Sequence, residues 1–366
     1  MANGSDNNSL LSCKDYDGIH RLHLVWHSLV FVLGLSLNGF ALWVFLRVLR
    51  LHTVVIIYMS NLATCDLLFT LALPLRIYYT ATDAWLLGDV PCQVAGSIFQ
   101  INLYGSCLFL ACINVDRFLA LVYPLRSRHL RRPKVAWRAC AAVWAVIVLG
   151  SVPVALVHDT SRCLDANSTV QVRCFESFSP ATWRREILPL LALAEILGFL
   201  LPLFTVLYCS ARILHTLNPG ASPHFRRRRK TVNLLLVNAV IFVVCFVPYN
   251  VVLAAYGLMK AKSDQSATNG SKVLLRLVLQ LTMLLASANC CLDPLVYYFS
   301  TEGFRRTLSR RGTEATALTA GTGRHGGGGN QATQRLALLS CSERAGPVAG
   351  QPAPGGEMNG RGESVI

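Results

Sequence analysis

The sequence predicts an all-α membrane protein, a bundle of seven transmembrane helices, and three observations carry that prediction. Of its 366 residues, 53% are hydrophobic and only 14% are charged, with a positive mean hydropathy, far outside the composition of a water-soluble domain. Apolar runs recur seven times, at about 24–46, 54–80, 92–115, 135–157, 187–211, 231–258 and 273–299. Each is near the ~20 residues that an α-helix needs to cross the hydrocarbon core. Short polar or basic connections separate the runs, and such a pattern leaves helices as the only spanning structure.

Taken in order, residues 1–22 are polar and lack the apolar core of a cleaved signal peptide, so the first span is expected to act as a signal anchor. That span carries Asn38. The second carries Asp66 and, two residues after Pro74, Arg76. The third carries Ser106 and runs directly into Asp116-Arg117-Phe118, an acid and an arginine where charge is costly, which points to an ion path or a switch. The fourth holds Trp144 and ends at His158. The fifth holds Glu195 and Pro202, and the sixth Phe246 and Pro248, ending at Lys260. The seventh begins near Arg276 and holds Asn289, Asp293, Pro294 and Tyr297. Each of the three prolines removes a backbone donor and frees a carbonyl, so with Phe246 and Tyr297 beside them they are expected to act as hinges.

A short amphipathic helix is expected up to residue 311, closing a bundle that begins at residue 23. From 312 to 366 the chain turns rich in Gly, Thr, Ala, Arg and Ser, including Gly326–Gly329, and is expected to be a disordered tail. Its last residues, Ser364, Val365 and Ile366, suit a PDZ-type groove that captures a free carboxylate and an apolar side chain.

Orientation follows from charge and from sequons. The connections containing Arg47, Arg126 to Lys134, Arg226 to Lys230 and Arg305 to Arg311 read as cytoplasmic, with 17 cations against 10 on the other side. Asn3, Asn7, Asn167 and Asn269 head glycosylation sequons, all on the side with fewer cations, which places the N-terminus outside the cell at the plasma membrane. Of 13 cysteines, Cys13, Cys92, Cys163 and Cys174 map to that oxidising side, where three pairings of the four are open. No zinc-site spacing occurs, and no metal is expected beyond a possible sodium ion.

Asn38, Asp66, Ser106, Asn289 and Asp293 are polar at mid-span and so require partners. They form either a hydrogen-bond network that fixes packing or a site where two carboxylates surround a small cation or share a proton.

At this point the chain resembles the rhodopsin-like G-protein-coupled receptors, over about residues 20–311. The residues that carry the resemblance are Leu37-Asn38, Leu62-Ala63-Thr64-Cys65-Asp66, Cys92, Asp116-Arg117-Phe118, Trp144, Cys174, Pro202, Phe242 with Cys245-Phe246-Val247-Pro248, Asp293-Pro294-Leu295-Val296-Tyr297 and Phe304-Arg305. The resemblance implies a Cys92–Cys174 disulfide, leaving Cys13 and Cys163 as a second bridge. It implies heterotrimeric G proteins and arrestin as partners and makes Asp116 and Arg117 the cytoplasmic switch, with Phe246, Pro248, Asp293, Pro294 and Tyr297. Phe118, Phe246 and Asp293 depart from the commonest pattern, in the manner of the purinergic and several lipid receptors. Ser210 stands where many members carry a tyrosine, so Tyr208 is given no switch role.

The outer third span offers Phe99 where an amine receptor has an acid. Cations gather instead: Arg76, His158, Lys260 and Arg276 end four helices at one level, above Phe99, Gln100, Leu103 and Tyr249, with Glu195 nearby. Converging cations over an apolar floor suit a phosphate-bearing ligand with a greasy part. Lysines and arginines at helix ends also snorkel to headgroups without further role, a reading open for Lys260, Lys262 and Lys272, whereas Arg76 lies inside the apolar second span and needs a counter-charge or a ligand.

Within the family the chain is most similar to the lysophosphatidic acid receptors, on stretches such as Tyr104-Gly105-Ser106-Cys107, Arg128-His129-Leu130-Arg131-Arg132-Pro133 and Cys174-Phe175-Glu176-Ser177-Phe178-Ser179. That implies lysophosphatidic acid or a related ether or farnesyl phosphate as ligand, and Gq-class and twelve/thirteen-class G proteins. Nucleotide receptors of the same branch place a histidine two residues after the sixth-span proline and a basic residue three further on. Asn250 and Leu253 stand there, which lowers that reading. A transporter would show repeats or interrupted helices, and an intramembrane hydrolase a nucleophile with its base. Neither pattern is apparent, and no enzyme activity is expected.

Overall fold

A computed structural model describes residues 11–12, 17–82, 84–157, 161–164, 170–174, 183–216, 225–262 and 269–300. Seven helical spans are long and apolar enough to cross a membrane, the longest running Asp89–Val122. We number the helices α1 (Asp17–Trp43, extended by a π-helical turn Val44–Val48), α2 (Val54–Thr82), α3 (Asp89–Val122) and α4 (Pro133–Val157). The fifth span, α5, is built of four consecutive pieces: π turn Trp183–Ile187, α-helix Leu188–Ala194, π turn Glu195–Leu200 and α-helix Leu201–Thr216. Then come α6 (Phe225–Lys262), α7 (Asn269–Ser287) and α8 (Asn289–Ser300), the last two forming the seventh span around a break at Ala288.

α3 is the hub, packed on α2, α4, α5 and α6. The helices approach closely where side chains are small: a Cβ on Gly198 of α5 would lie 2.6 Å from the Tyr104 ring of α3, and one on Gly34 of α1 would strike Thr70 of α2. Between the helices lies one core containing Phe45, Ile57, Met59, Leu62, Phe109, Leu110, Phe242 and Phe246, all fully buried. Its aromatic spine runs Phe199–Phe242–Phe246, with ring centroids 6.4 and 5.2 Å apart. Outward faces of α4 and α5 expose Leu149, Leu156, Leu201 and Phe204, as lipid contact requires.

Five spans differ from expectation in their bounds or breaks. α3 outruns its apolar run, carrying the charged triplet within the helix and continuing to Val122, with the buried Asp116 paired to Arg117 and Arg131. α1 begins several residues earlier than its apolar run, because the polar residues there turn inward. The helices run through Pro202 and Pro248, and the break in the seventh span falls at Ala288 rather than at Pro294. Pro294 denies the Cys290 carbonyl its helical donor, and Asn38 Nδ2 of α1 donates to that oxygen instead (2.7 Å). A buried asparagine in the first span is thereby explained by a proline in the seventh.

A feature absent from the all-α expectation is a small sheet in the order β1-β2-β3, from Leu11–Ser12, Ser161–Leu164 and Val170–Arg173. β2 and β3 form an antiparallel hairpin, and β1 runs parallel to β2 with Leu11 paired to Cys163. The expected amphipathic helix and the tail lie outside the described residues.

Candidate functional site

Two helices and the hairpin build one end of the bundle. Gly88, in the left-handed region at φ 81°, caps α3 so that Cys92 sits in its first turn. Cys92 is bonded to Cys174, with Cα atoms 5.8 Å apart across 82 residues of chain. The backbone N–H of Trp85 donates to the Val172 carbonyl (2.8 Å), and the Trp85 side chain, with the disulfide, forms a separate small core. The hairpin is thus fixed by a covalent bond and a hydrogen bond to the turn between α2 and α3.

Below it opens a cavity of about 230 Å³. Arg76 of α2, Tyr249 of α6 and Arg276 of α7 line it, together with Cys174. The Arg76 guanidinium lies over the Phe99 ring at 5.2 Å, and Phe99 meets Tyr249 edge to face at 5.8 Å and Phe69 at 5.9 Å. Three residues named from sequence therefore touch in series, with Leu103 one turn further into the core. Lys260 stands apart, its ammonium 5.6 Å from the Tyr256 ring and its side chain exposed at the end of α6. Gln100 departs from expectation: it faces the opposite side of α3 from that cavity, lining a second one of about 310 Å³ between α3, α4 and α5. Three and four residues on a helix share a face, whereas Phe99 and Gln100 are adjacent and diverge. Glu195 follows Ala194, a lining residue of that second cavity, and one of its carboxylate oxygens is buried without a hydrogen-bond partner. His158, Cys13, Asn3, Asn7 and Asn167 lie outside the described residues. Asn269 begins α7.

Sequence reasoning missed the α1 wall. His20, His23 and His27 all line the first cavity. Their spacing of three and four residues was the available signal, overlooked because histidine adds neither formal charge nor hydrophobicity.

At mid-bundle Asp66 and Asp293 are fully buried. Asn102 Nδ2 donates to Asp66 Oδ1 (2.9 Å) and Asn289 Nδ2 to Asp293 Oδ2 (2.8 Å). Asn102 was not anticipated, while Ser106, one turn on, is buried with its hydroxyl unpartnered.

At the far end Asp116 is 3% exposed and pairs with two cations, Arg117 Nη2 and Arg131 Nε, both at 3.1 Å. Arg131 comes from the turn after α3, a contact that sequence did not reveal. Phe118 of the triplet, with Leu121 and Val122 beyond it, packs on Ile213 of α5 and on Val232 and Leu235 of α6. The charged triplet is thus wedged where three helices meet. The side chain of Tyr297 lies outside the described residues.

A seven-span bundle with a cavity at the disulfide end and a paired acid and arginine at the other has the layout of a receptor, and comparison with known proteins decides the family. Residues 37–297 match the 7 transmembrane receptor (rhodopsin family). The chain belongs to the rhodopsin family of seven-transmembrane receptors. This receptor is 57% identical to lysophosphatidic acid receptor 5 of Mus musculus over 308 residues, 84% of its own length and 82% of the relative's. It is 54% identical to lysophosphatidic acid receptor 5 of Bos taurus, covering 84% and 83% of the two chains. To lysophosphatidic acid receptor 6 of Gallus gallus it is 42% identical over 277 residues, 75% and 88% of the two. As a member of this family with seven spanning helices, it is a multi-pass membrane protein and a receptor rather than an enzyme.

Proposed function

We propose that this receptor binds lysophosphatidic acid or a closely related lipid phosphate on the outer face of the plasma membrane and signals through heterotrimeric G proteins, of the Gq and twelve/thirteen classes. The observation that carries the reading is the cavity flanked by Arg76 and Arg276, two permanent guanidinia from different helices beside an aromatic floor. Guanidinium forks match phosphate oxygens, and Phe99 and Tyr249 offer the apolar surface on which a glycerol ester can rest. His158 and Lys260 extend the basic rim. The largely apolar second cavity, lined by Gln100, is of a kind that receives an acyl chain.

The N-terminus is outside in this reading, since a disulfide belongs on the oxidising side. β1 brings residues 11 and 12 beside Cys163 and Leu164, which supports a bridge from Cys13 to Cys163. Asn3, Asn7, Asn167 and Asn269 carry glycans on that side, residues 1–22 and 312–366 flank the bundle, and Ser364, Val365 and Ile366 engage a PDZ domain. Asp116 and Arg117 hold the inactive state, and Phe246, Pro248, Asp293, Pro294 and Tyr297 relay opening to the G protein, with arrestin following. No cofactor is required. A sodium ion at mid-bundle is part of this reading, because the buried carboxylates of Asp66 and Asp293, with the buried Ser106 and Asn289, offer hard oxygen donors.

The test is a G-protein dissociation sensor in cells bearing the chain. Lysophosphatidic acid should activate it, and an Arg117→Ala receptor at equal surface level should be silent. A surface-expressed wild type that ignores lysophosphatidic acid and farnesyl phosphate alike would sink the reading.

A further inference from the structure

His20, His23 and His27 follow one another at steps of three and four along α1, so their side chains share one face, and all three line the cavity that holds Arg76 and Arg276. His27 is 2% exposed. Its Nδ1 and the Nε2 of His23 are buried without hydrogen-bond partners. The two rings meet edge to face, with centroids 5.3 Å apart, a contact that leaves room for their nitrogens to serve a third group. The described lining residues carry no carboxylate. A buried polar atom with no partner is costly, and that cost is recovered when a ligand supplies the acceptor.

We propose that His23 and His27 form a third arm of the ligand site, taking a terminal phosphate oxygen and thereby selecting phosphate monoesters over phosphodiesters. The proposal rests on the lipid-phosphate reading above. A monoester presents three terminal oxygens and up to two negative charges. Two guanidinium forks gripping oxygens in pairs reach all three, but each terminal oxygen can accept a further hydrogen bond, and the one nearest the histidines takes it from the N–H of a neutral imidazole. In a diester that oxygen carries a substituent, so it accepts poorly and its extra group must push into the histidine face.

The experiment uses the full-length receptor in cells, with 1-oleoyl lysophosphatidic acid and its phosphate methyl ester as paired probes, and compares their potencies at matched surface level. Wild type should prefer the monoester by about tenfold or more, the worth of one hydrogen bond to a charged group. His27→Phe should lower monoester potency by about tenfold and leave the methyl ester little changed, bringing the ratio towards one. His27→Gln, which keeps an N–H donor, should restore part of the preference. A role confined to packing would weaken both probes equally. Should His27→Phe fail to reach the surface, His23→Phe is read in its place. An unchanged ratio in a responsive His23→Phe or His27→Phe receptor overturns the histidine arm alone, whereas a wild type deaf to both probes removes the lipid-phosphate reading and this arm with it.

Discussion

Replacing Arg76 by glutamine removes one of two guanidinia from the cavity while leaving a side chain of similar reach. The Arg76 group lies 5.2 Å from the Phe99 centroid, with Nη1 3.5 Å from the Met283 sulfur. A ligand phosphate adds to these contacts a charge-assisted pair worth about 1.5–3 kcal/mol. At about 1.4 kcal/mol per decade, the substitution should weaken lipid-phosphate potency by roughly 10- to 100-fold. Phe99, Phe69 and Tyr249 remain packed on one another, so the bundle should keep its fold and its surface level. Phe99→Leu separates positioning from charge: it forfeits a cation–π contact of about 0.5–2 kcal/mol and the ring contacts to Tyr249 and Phe69 but keeps the guanidinium, and should cost less potency than the loss of Arg76. The assay is a concentration–response curve for G-protein activation, normalised to antibody-detected surface receptor. Full potency in a normally expressed Arg76→Gln receptor would refute the assignment of Arg76 to the phosphate.

Three further outcomes are expected. Cys92→Ser releases the bond that holds the hairpin over the cavity and should cost about 2–5 kcal/mol, seen as low surface level and lost ligand binding; normal binding would contradict the hairpin's role as the cavity roof. Asp116→Asn weakens the ion pairs to Arg117 and Arg131, each worth up to about 1 kcal/mol where partly exposed, and should raise ligand-independent signalling several-fold at equal expression. Trp144→Phe loses the hydrogen bond from Nε1 to Asn61 Oδ1 (2.8 Å) and should lower the thermal midpoint of purified receptor by the equivalent of about 1 kcal/mol, with ligand potency unchanged.

Much of this architecture is legible in the sequence because lipid leaves little choice: an apolar run of this length has to be helical. What is not legible depends on partners distant along the chain. Asp116 reads as the end of a span until Arg131 is seen to join Arg117 on it. The break at Ala288 leaves no strong local signal, while the carbonyl freed by Pro294 is satisfied by Asn38, 252 residues before its acceptor. The strands are short, and their register is set by the hairpin and the disulfide rather than by alternation. Arg76 and Arg276 can be named because charge marks them in apolar spans, and Tyr249 because it is an aromatic residue beside Pro248. The α1 histidines carry a weak signal in their spacing, and Asn102 is marked only by Asp66, which faces it.

The most direct measurement is equilibrium binding of a radiolabelled lysophosphatidic acid to purified, full-length receptor, with unlabelled lipid phosphate, the matching phosphate-free monoacylglycerol and a nucleotide as competitors. The lipid phosphate should displace the label, the monoacylglycerol should do so far more weakly because it offers nothing to Arg76 and Arg276, and the nucleotide should not compete. Displacement by the nucleotide, or equal displacement by the phosphate-free lipid, would contradict a cavity built for a lipid phosphate.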